Sequence, residues 1–518
     1  MKKFAPIVFP SREKLSFSVF ICVFSAVVSV FLLALLANHP GYYHDTDIAV
    51  QWYQAHSGTF DDWHPAIYTM LIWLVTRIHN SYGFFIAVQI LFFSLLCGYM
   101  ASTLRAWGFQ KIWIAVFTIT IISAQSTRTL MLYAYKDGIF SCLVLWSAIY
   151  LANIVLSDGA WLTKWGNRIA LALVLGFASI IRHNGFVFTV PVIALLCAFY
   201  ARKQTLACVF TGALALATVA GVKGPLYKAV GVTHSAEHQT YIETSFMPVS
   251  LLGSVYLVNP GALDEDAINL MEHLATPEEW EKYGRFGDIR ATKGVAMLRP
   301  RRLSLQSNIS PRYFNEAVKE FQDDYVPLCP PEKLLSMTLH VLRNDPEIVC
   351  MAYAAATCVV WDPTAFQFSA EPFVGINDGV NVLAIRNDDA VFNDFLDCFG
   401  TSPSIRSEAL MASQSPFFQK FQNFYSVLDT VISTLTPSRM LQCVGLNMLL
   451  LMLCMWLSLC SRRGWPSLLL ALPGIAYNLV HMFFLGGPEY RLFQFNAVIT
   501  VPLILVCLAK TEKKVKNE

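Results

Sequence analysis

Residues 17–38 read FSVFICVFSAVVSVFLLALLAN and contain no charged side chain. A helix rises 1.5 Å per residue, so about 20 apolar residues cross the ~30 Å of bilayer hydrocarbon, and this run is long enough. It is too long for the apolar core of a signal peptide, and no small-residue cleavage site follows it. We therefore expect the run to remain as a membrane span.

The rest of the chain shares this apolar character. Of the 518 residues, 55% are hydrophobic and 14% are charged, and the mean hydropathy is +0.48. A soluble domain carries about 25% charged residues, which excludes a soluble globular protein. Lys and Arg number 38 against 36 Asp and Glu, so the net charge of +2 excludes a nucleic-acid binder driven by global charge.

The apolar runs predict a polytopic α-helical membrane protein with about ten transmembrane helices. The runs lie near 17–38, 83–102, 112–127, 138–157, 168–182, 185–201, 205–222, 437–460, 465–486 and 492–509. The hydrophilic segment 223–436 separates the seventh run from the eighth and holds 26 of the 36 acidic residues. We expect this segment to be a soluble, mixed but mainly helical external domain.

This pattern divides the chain into three parts. Residues 1–222 form an N-terminal membrane module, whose first external loop is expected at 39–82. Residues 223–436 form the external domain. Residues 437–518 contain the C-terminal membrane helices and a basic cytoplasmic tail.

The orientation follows from the basic residues of the short loops. The run at 64–77 is apolar but short for a span, so we interpret it as an interfacial helix. The short loops then form two sets, with sixteen basic residues in one and five in the other. The positive-inside rule places the richer set, with both termini, in the cytoplasm. The segment 223–436 then lies on the periplasmic side of an inner (plasma) membrane.

Two local features of the external domain can be compared with a structure. Thr276 followed by Glu279 fits the capping box of a helix start. Four cysteines fall in this domain, and an even number in an oxidising compartment makes disulfides plausible, with three possible pairings. These are Cys329, Cys350, Cys358 and Cys398.

Unusual polar residues collect at one membrane–water boundary of this topology. Such groups are costly beside apolar spans unless they pair with each other or line a functional cavity. The groups are Tyr42–Asp47 and Asp61-Asp62-Trp63-His64 in the first loop, Tyr135-Lys136-Asp137, Arg182-His183-Asn184-Gly185, and Pro488-Glu489-Tyr490-Arg491.

Each group also has a plainer interpretation. Arg182 and Arg491 are explained equally well as cations that anchor helix ends at the interface. Lys136 and Asp137 fit a helix start, where the helix dipole favours a carboxylate. His64 has no spacing typical of metal ligands, so no metal site is expected. The combination of a carboxylate-rich loop with three cationic turns on one face still favours a site with a base and a phosphate-binding region.

Short motifs in these groups resemble those of polytopic glycosyltransferases of the GT-C superfamily, which includes bacterial cell-surface glycosylating enzymes. The motifs are Asp47-Ile-Ala-Val-Gln51-Trp52-Tyr-Gln54, Asp62-Trp63-His64-Pro65, Lys136-Asp137-Gly138, Arg182-His183-Asn184-Gly185 and Glu489-Tyr490-Arg491. Stretches around Leu274–Asp288 and Trp361-Asp362-Pro363 also look similar. The resemblance touches most of the chain, always through short motifs.

The resemblance implies a sugar donor linked to a polyprenyl phosphate and a reaction on the external face. Asp47 matches the first-loop carboxylate that acts as catalytic base, and Asp45 is the alternative. Lys136, Arg182 and Arg491 match positions whose basic side chains contact the donor phosphate. The side chains expected to support the site are Asp62, His64, Asp137, His183, Asn184, Glu489 and Tyr490.

The expected reaction is an inverting transfer of the sugar to a hydroxyl of a cell-surface glycan such as O-antigen. General-base help contributes about 10²–10⁴-fold, and cations stabilise the leaving phosphate. No cofactor is required, and a contribution from a divalent metal is left open. Tyr68 and Trp73 of the interfacial helix either lie along the prenyl tail or anchor the helix. The expected partners are the lipid-linked donor, the glycan acceptor and the bilayer, not nucleic acid.

Two other classes fit part of the pattern. An O-antigen polymerase or ligase also has about ten spans and a large external loop, although such loops are usually basic and the segment 223–436 is acidic. A transporter or flippase for a lipid-linked sugar is expected to carry ionisable residues near the bilayer midplane. Here the span centres are almost free of charge.

Overall fold

The computed structural model describes residues 8–9, 14–42, 46–233, 237–289, 291–292, 331–363, 408, 411–412, 414–436, 442–460, 465–483, 490–508 and 510–511. These residues are mainly helical. A parallel pair of two-residue strands, β1 (Val8–Phe9) and β2 (Lys510–Thr511), joins the two ends of the chain.

Among the described residues, six stretches are long and apolar enough to cross a membrane. They are Phe17–Ala37, Tyr82–Ala106, Lys136–Leu156, His183–Val230, Trp465–Phe483 and Tyr490–Cys507. The prediction of an α-helical, multi-pass membrane protein is thereby confirmed at that level. Ten separate spans are not shown, because three of the predicted runs correspond to apolar helices of 13 to 17 residues.

Ten helices belong to the N-terminal part of the chain. They are α1 (Phe17–Ala37), α2 (Thr46–Ser57), α3 (Ala66–Ile78), α4 (Tyr82–Ala106), α5 (Lys111–Ser123), α6 (Gln125–Leu130), α7 (Lys136–Leu156), α8 (Trp165–Ile181), α9 (Phe186–Gly221) and α10 (Tyr227–Val230). A π-helical turn, Val222–Leu226, joins α9 to α10. The helix therefore continues past residue 222, where the sequence suggested the start of the external domain.

The helix α9 reverses direction at Gln204, whose backbone is not helical (φ −147°, ψ 50°). The thiol of Cys208 donates to the carbonyl oxygen of Leu196 over 3.4 Å. Twelve residues of straight helix span about 18 Å, so this contact requires the chain to fold back. Both halves of α9 are apolar, in agreement with the separate runs predicted at 185–201 and 205–222.

The centre of the bundle is α7, which is buried along nearly its whole length. It packs against α4, α8 and two C-terminal helices, α18 (Leu468–Phe483) and α19 (Phe495–Leu508). A helix that is apolar on all sides suits a position with neighbours all round. Since α7 begins at Lys136, this arrangement puts a cation and the carboxylate of Asp137 at one end of the bundle core.

The segment between the two membrane modules forms helices that pack on one another. They are α11 (Glu237–Val258), α12 (Glu265–Leu274), α13 (Pro277–Tyr283), α14 (Pro331–Asn344), α15 (Pro346–Trp361) and α16 (Pro416–Leu435). The helix α11 contacts α12, α14 and α15, and α15 in turn packs on α17 (Val444–Leu459) and α18. The helix α15 thus connects α11 to the membrane bundle.

The two local expectations for this segment have different outcomes. The capping box is confirmed, since Thr276 N donates to Glu279 Oε2 over 3.0 Å and Glu279 N donates to Thr276 Oγ1 over 3.4 Å. Cys350 and Cys358 are both unbonded thiols, so neither takes part in a disulfide. Cys329 and Cys398 lie outside the described residues.

Candidate functional site

Six segments that are separate in sequence meet at one end of the bundle. They are the Asp62–Ala66 turn before α3, the start of α7, the turn between α8 and α9, the stretch from Lys223 to Tyr227 after α9, the end of α18, and the residues just before α19. The contacts that join them are described one by one below. Together they define the boundary cluster, made of Asp62, Trp63, His64, Tyr135, Lys136, Asp137, Arg182, His183, Asn184, Lys223, Tyr227, His481, Tyr490 and Arg491.

The most buried contact of the boundary cluster is an ion pair between Asp137 and Arg182. Arg182 Nη1 lies 2.7 Å from Asp137 Oδ1, and the two side chains are 7% and 1% exposed. Asp137 sits in the first turn of α7, where the helix dipole favours a carboxylate. Arg182 also donates to the carbonyl oxygen of Leu492 over 3.4 Å. One guanidinium thus joins the starts of α7 and α19 to the end of α8.

The next residue, Lys136, connects α7 to the first loop. Its Nζ lies 3.0 Å from His64 Nδ1. Lys136 is half-buried, as is His64. The neutral imidazole nitrogen accepts from the ammonium, so the pair keeps a positive charge at the edge of the cluster.

Asp62 lies four residues before the first residue of α3 and accepts a hydrogen bond from it. Ala66 N donates to Asp62 Oδ1 over 3.2 Å, and the other oxygen, Oδ2, lies 3.8 Å from Lys223 Nζ. Ile67 N donates to the hydroxyl of Tyr227 over 3.1 Å. Two backbone N–H groups at this helix start are therefore satisfied by side chains, as helix starts require.

The turn between α8 and α9 contacts both sides of the boundary cluster. His183 Nε2 lies 3.2 Å from the carbonyl oxygen of Trp63. Asn184 Nδ2 lies 3.3 Å from His481 Nε2, and His481 Nδ1 lies 2.8 Å from the carbonyl oxygen of Tyr477. The turn is thereby held between the first loop and α18.

Arg491 lies over the ring of Tyr135, with its guanidinium carbon 4.8 Å from the ring centroid. Tyr490 beside it is buried. A guanidinium stacked on an aromatic face has fewer accessible orientations and stays charged at any physiological pH. Arg491, in the third cationic turn, therefore contacts Tyr135, the residue that precedes Lys136.

The side chains of the two predicted bases, Asp45 and Asp47, are not among those that the structure describes. Asp45 and Glu489 lie outside the described residues, and Asp47 is described only as a backbone position in the first turn of α2. Just before it, Tyr42 N donates to the carbonyl oxygen of Leu132 over 2.9 Å. Its carbonyl accepts from the hydroxyl of Tyr82 over 2.6 Å. Tyr42, five residues before Asp47, thus lies beside Leu132 and Tyr133, which precede Lys136 in the chain.

One suggestion from the sequence is wrong. Tyr68 does not face lipid, because it is fully buried and its ring meets that of Phe85 at 6.2 Å, edge to face. Trp73 is half-buried, with the guanidinium of Arg77 5.4 Å from its ring. A prenyl tail cannot lie along Tyr68.

Three residues of the boundary cluster were not selected from the sequence: Lys223, Tyr227 and His481. Lys223 looked like the first residue of a soluble domain, and His481 like an ordinary residue of an apolar helix. The one available signal was the cation at the end of the run 205–222. Among the described residues, no group of three His, Cys, Asp or Glu side chains is arranged to hold a metal ion.

Comparison of the chain with protein-family models, curated proteins and solved structures gave no match.

Proposed function

We propose that the protein is an inverting glycosyltransferase that moves a sugar from a polyprenyl-phosphate carrier to a hydroxyl of a cell-surface glycan. The observation that carries this proposal is the boundary cluster, in which cations and carboxylates from five separate segments meet at the ends of apolar helices. A donor with a lipid tail and a phosphate needs this combination of apolar surface and cations. The cluster supports an activity at the membrane surface rather than within the bilayer.

In the proposed reaction the acceptor oxygen attacks the anomeric carbon as the bond from that carbon to the phosphate oxygen breaks. Asp47 takes the proton of the acceptor hydroxyl, and Asp45 is the alternative base. The bonding electrons leave with the phosphate. A single displacement of this kind inverts the anomeric configuration.

The cations divide into two roles. Lys136 and Arg491 lie at the edge of the boundary cluster and contact the departing phosphate, whose growing charge they stabilise. Arg182 is already committed to Asp137 and is almost fully buried, so it holds the starts of α7 and α19 in place. The motif resemblance implies that Lys136, Arg182 and Arg491 all contact the phosphate, whereas this proposal gives Arg182 a positioning role.

The same proposal fixes the orientation of the chain. The apolar helices α5, α8, α17 and the two halves of α9 complete ten crossings, with both termini in the cytoplasm. The boundary cluster and the helices α11–α15 then lie on the periplasmic side of the inner membrane, where the helices recognise the acceptor glycan. The asymmetry of basic loop residues supports this orientation.

The test is a comparison of donors. Purified protein in proteoliposomes, together with its host's surface glycan, is given hexoses labelled on polyprenyl phosphate, on polyprenyl diphosphate or on a nucleotide. Transfer from the polyprenyl phosphate alone is the expected result. Transfer only from the polyprenyl diphosphate would favour the polymerase or ligase class. Movement of label across the bilayer without transfer would favour a flippase.

A further inference from the structure

The helix α16 belongs to the segment expected to be soluble, yet it is fastened to the ends of membrane helices. The ring of Phe418 stacks on His39 with centroids 4.7 Å apart, and α16 packs against α1. Arg128 Nε donates to the hydroxyl of Tyr425 over 3.2 Å and the guanidinium forms an ion pair with Asp429. Arg128 itself is buried, so this is a fixed attachment rather than a surface contact.

These attachments set the depth of α16. His39 follows the end of α1 directly, and Arg128 lies between the end of α5 and the start of α7. Gln442 follows α16 in the chain, and its side-chain oxygen Oε1 accepts a hydrogen bond from Ser126 N over 2.7 Å. Phe418 and Asp429, eleven residues apart in α16, are therefore held at the same end of the bundle, so the helix runs along this boundary instead of crossing the bilayer.

A second face of α16 is apolar and exposed. It consists of five side chains that are between 46% and 77% exposed: Phe417, Phe424, Val427, Val431 and Leu435. Their spacings of seven, three, four and four residues put them on one side of a helix. Soluble proteins rarely expose a contiguous apolar patch of this kind without a use for it.

The third face is polar. It carries Gln419, Gln422, Asn423, Ser426, Thr430 and Ser433. The helix has only two charged residues, Lys420 and Asp429, and the carboxylate is the one paired with Arg128. A helix with a protein face, an apolar face and an uncharged polar face suits the boundary between acyl chains and headgroups.

We propose that α16 is an interfacial membrane helix, with Phe417, Phe424, Val427, Val431 and Leu435 inserted among the acyl chains of a phospholipid bilayer. The occupant of the apolar face is lipid rather than a protein partner, because the attachment residues fix the helix beside α1, at the level where spans leave the hydrocarbon. Lys420 lies on the same side of the helix, between Phe417 and Phe424, and the long stem of a lysine lets its ammonium reach the headgroups from such a position. The proposal is independent of the enzymatic activity.

The test uses the full-length protein in proteoliposomes that contain a phospholipid with a photoreactive acyl chain. After irradiation, adducts are mapped by mass spectrometry. Adducts are expected on the apolar face of α16, and also on the exposed apolar residues Ile112, Val116 and Ile119 of α5, which serve as the internal reference. Labelling of α5 with no label on residues 416–435 would overturn the proposal.

A pair of variants on the same helix sharpens the result. Val427→Asp together with Val431→Asp places carboxylates on the apolar face and is expected to remove most of the label from α16. Ser426→Asp together with Thr430→Asp places the same two charges on the polar face and is expected to leave the labelling unchanged. Unchanged labelling of α5 in both variants shows that the bundle is intact. Equal labelling of α16 in both variants would contradict insertion of this face.

Discussion

Arg182 Nη1 and Asp137 Oδ1 lie 2.7 Å apart in the interior of the bundle, and this pair joins the end of α8 to the start of α7. Both partners come from motifs that the sequence placed in separate external turns. Their contact brings Lys136 and His183, the neighbours of the pair, to the same boundary. The ion pair therefore assembles the candidate site even though its own groups are largely hidden from solvent.

Removing one partner of this pair should be costly. Arg182→Ala leaves the carboxylate of Asp137 buried without its counter-charge, and we expect a loss of about 3–5 kcal/mol in the free energy of unfolding. Thermal unfolding of the purified protein in detergent measures it. The matched control is Lys203→Ala, which breaks an exposed pair of 2.9 Å with Asp158 and should cost about 0–1 kcal/mol. An equal loss of unfolding free energy in the two variants would show that the buried pair stabilises the protein no more than the exposed pair does.

Arg491 is expected to act on the donor. Loss of a hydrogen bond to a charged group costs about 1.5–3 kcal/mol, so Arg491→Ala should raise the KM for the donor roughly tenfold or more while the KM for the acceptor stays constant. Initial rates at varied donor and acceptor concentrations separate the two. Arg168→Ala is the control, because Arg168 also stacks on an aromatic ring, that of Trp165, but at the other end of α8. An unchanged donor KM would make Arg491 an interfacial anchor.

Substitutions of Asp62 can separate two of its properties: the oxygen that accepts a hydrogen bond from Ala66 N, and the negative charge. Asp62→Ala removes the acceptor for Ala66 N and should destabilise the protein by about 1 kcal/mol. Asp62→Asn keeps an oxygen for the cap and should retain both stability and sugar transfer, because we assign Asp62 to positioning α3. Unfolding curves and transfer rates of the two variants are the measurements. A stable Asp62→Asn variant without activity would instead place this carboxylate in the chemistry.

Glu408 caps the helix α4 from far along the chain. Its carboxylate accepts from Ser81 Oγ over 3.0 Å, Tyr82 N over 3.0 Å and Gly83 N over 3.3 Å. Glu408→Ala should cost about 1–2 kcal/mol, as loss of a strong helix cap does, and Glu408→Gln should cost less because one oxygen acceptor remains. Thermal unfolding of the two variants shows whether Glu408→Ala is less stable than Glu408→Gln. No loss in either variant would show that this contact contributes nothing to stability.

The periodic features of the fold could be predicted from the sequence. The apolar runs, the reversal near Gln204 and the capping box at Thr276 depend on neighbours along the chain, and local composition is enough to find them. The grouping of Lys136, Arg182 and Arg491 could be predicted only through the topology, which put them on one membrane face. Their individual contacts could not be predicted, because they join residues hundreds of positions apart.

The features that the sequence did not reveal share a physical cause. Lys223 follows an apolar run and looked like part of a soluble segment, yet the continued helix carries it to Asp62. The helix α16 lies in a segment whose composition predicts a soluble domain, and only its contacts with His39 and Arg128 show that it packs on the bundle. Tyr68 looked like an interfacial aromatic residue, but the packing of α3 on α4 buries it. In each case a tertiary contact overrides a local preference.

The most direct test of the proposed activity is the transfer of radiolabelled hexose from polyprenyl phosphate in membranes, compared between the wild-type protein and Asp47→Asn at equal expression. We predict that label reaches the glycan with the wild type and that Asp47→Asn abolishes this transfer. Full transfer by Asp47→Asn would contradict the assignment of the base and direct attention to Asp45. No transfer by the wild type from any polyprenyl-phosphate hexose would contradict the proposed glycosyltransferase itself.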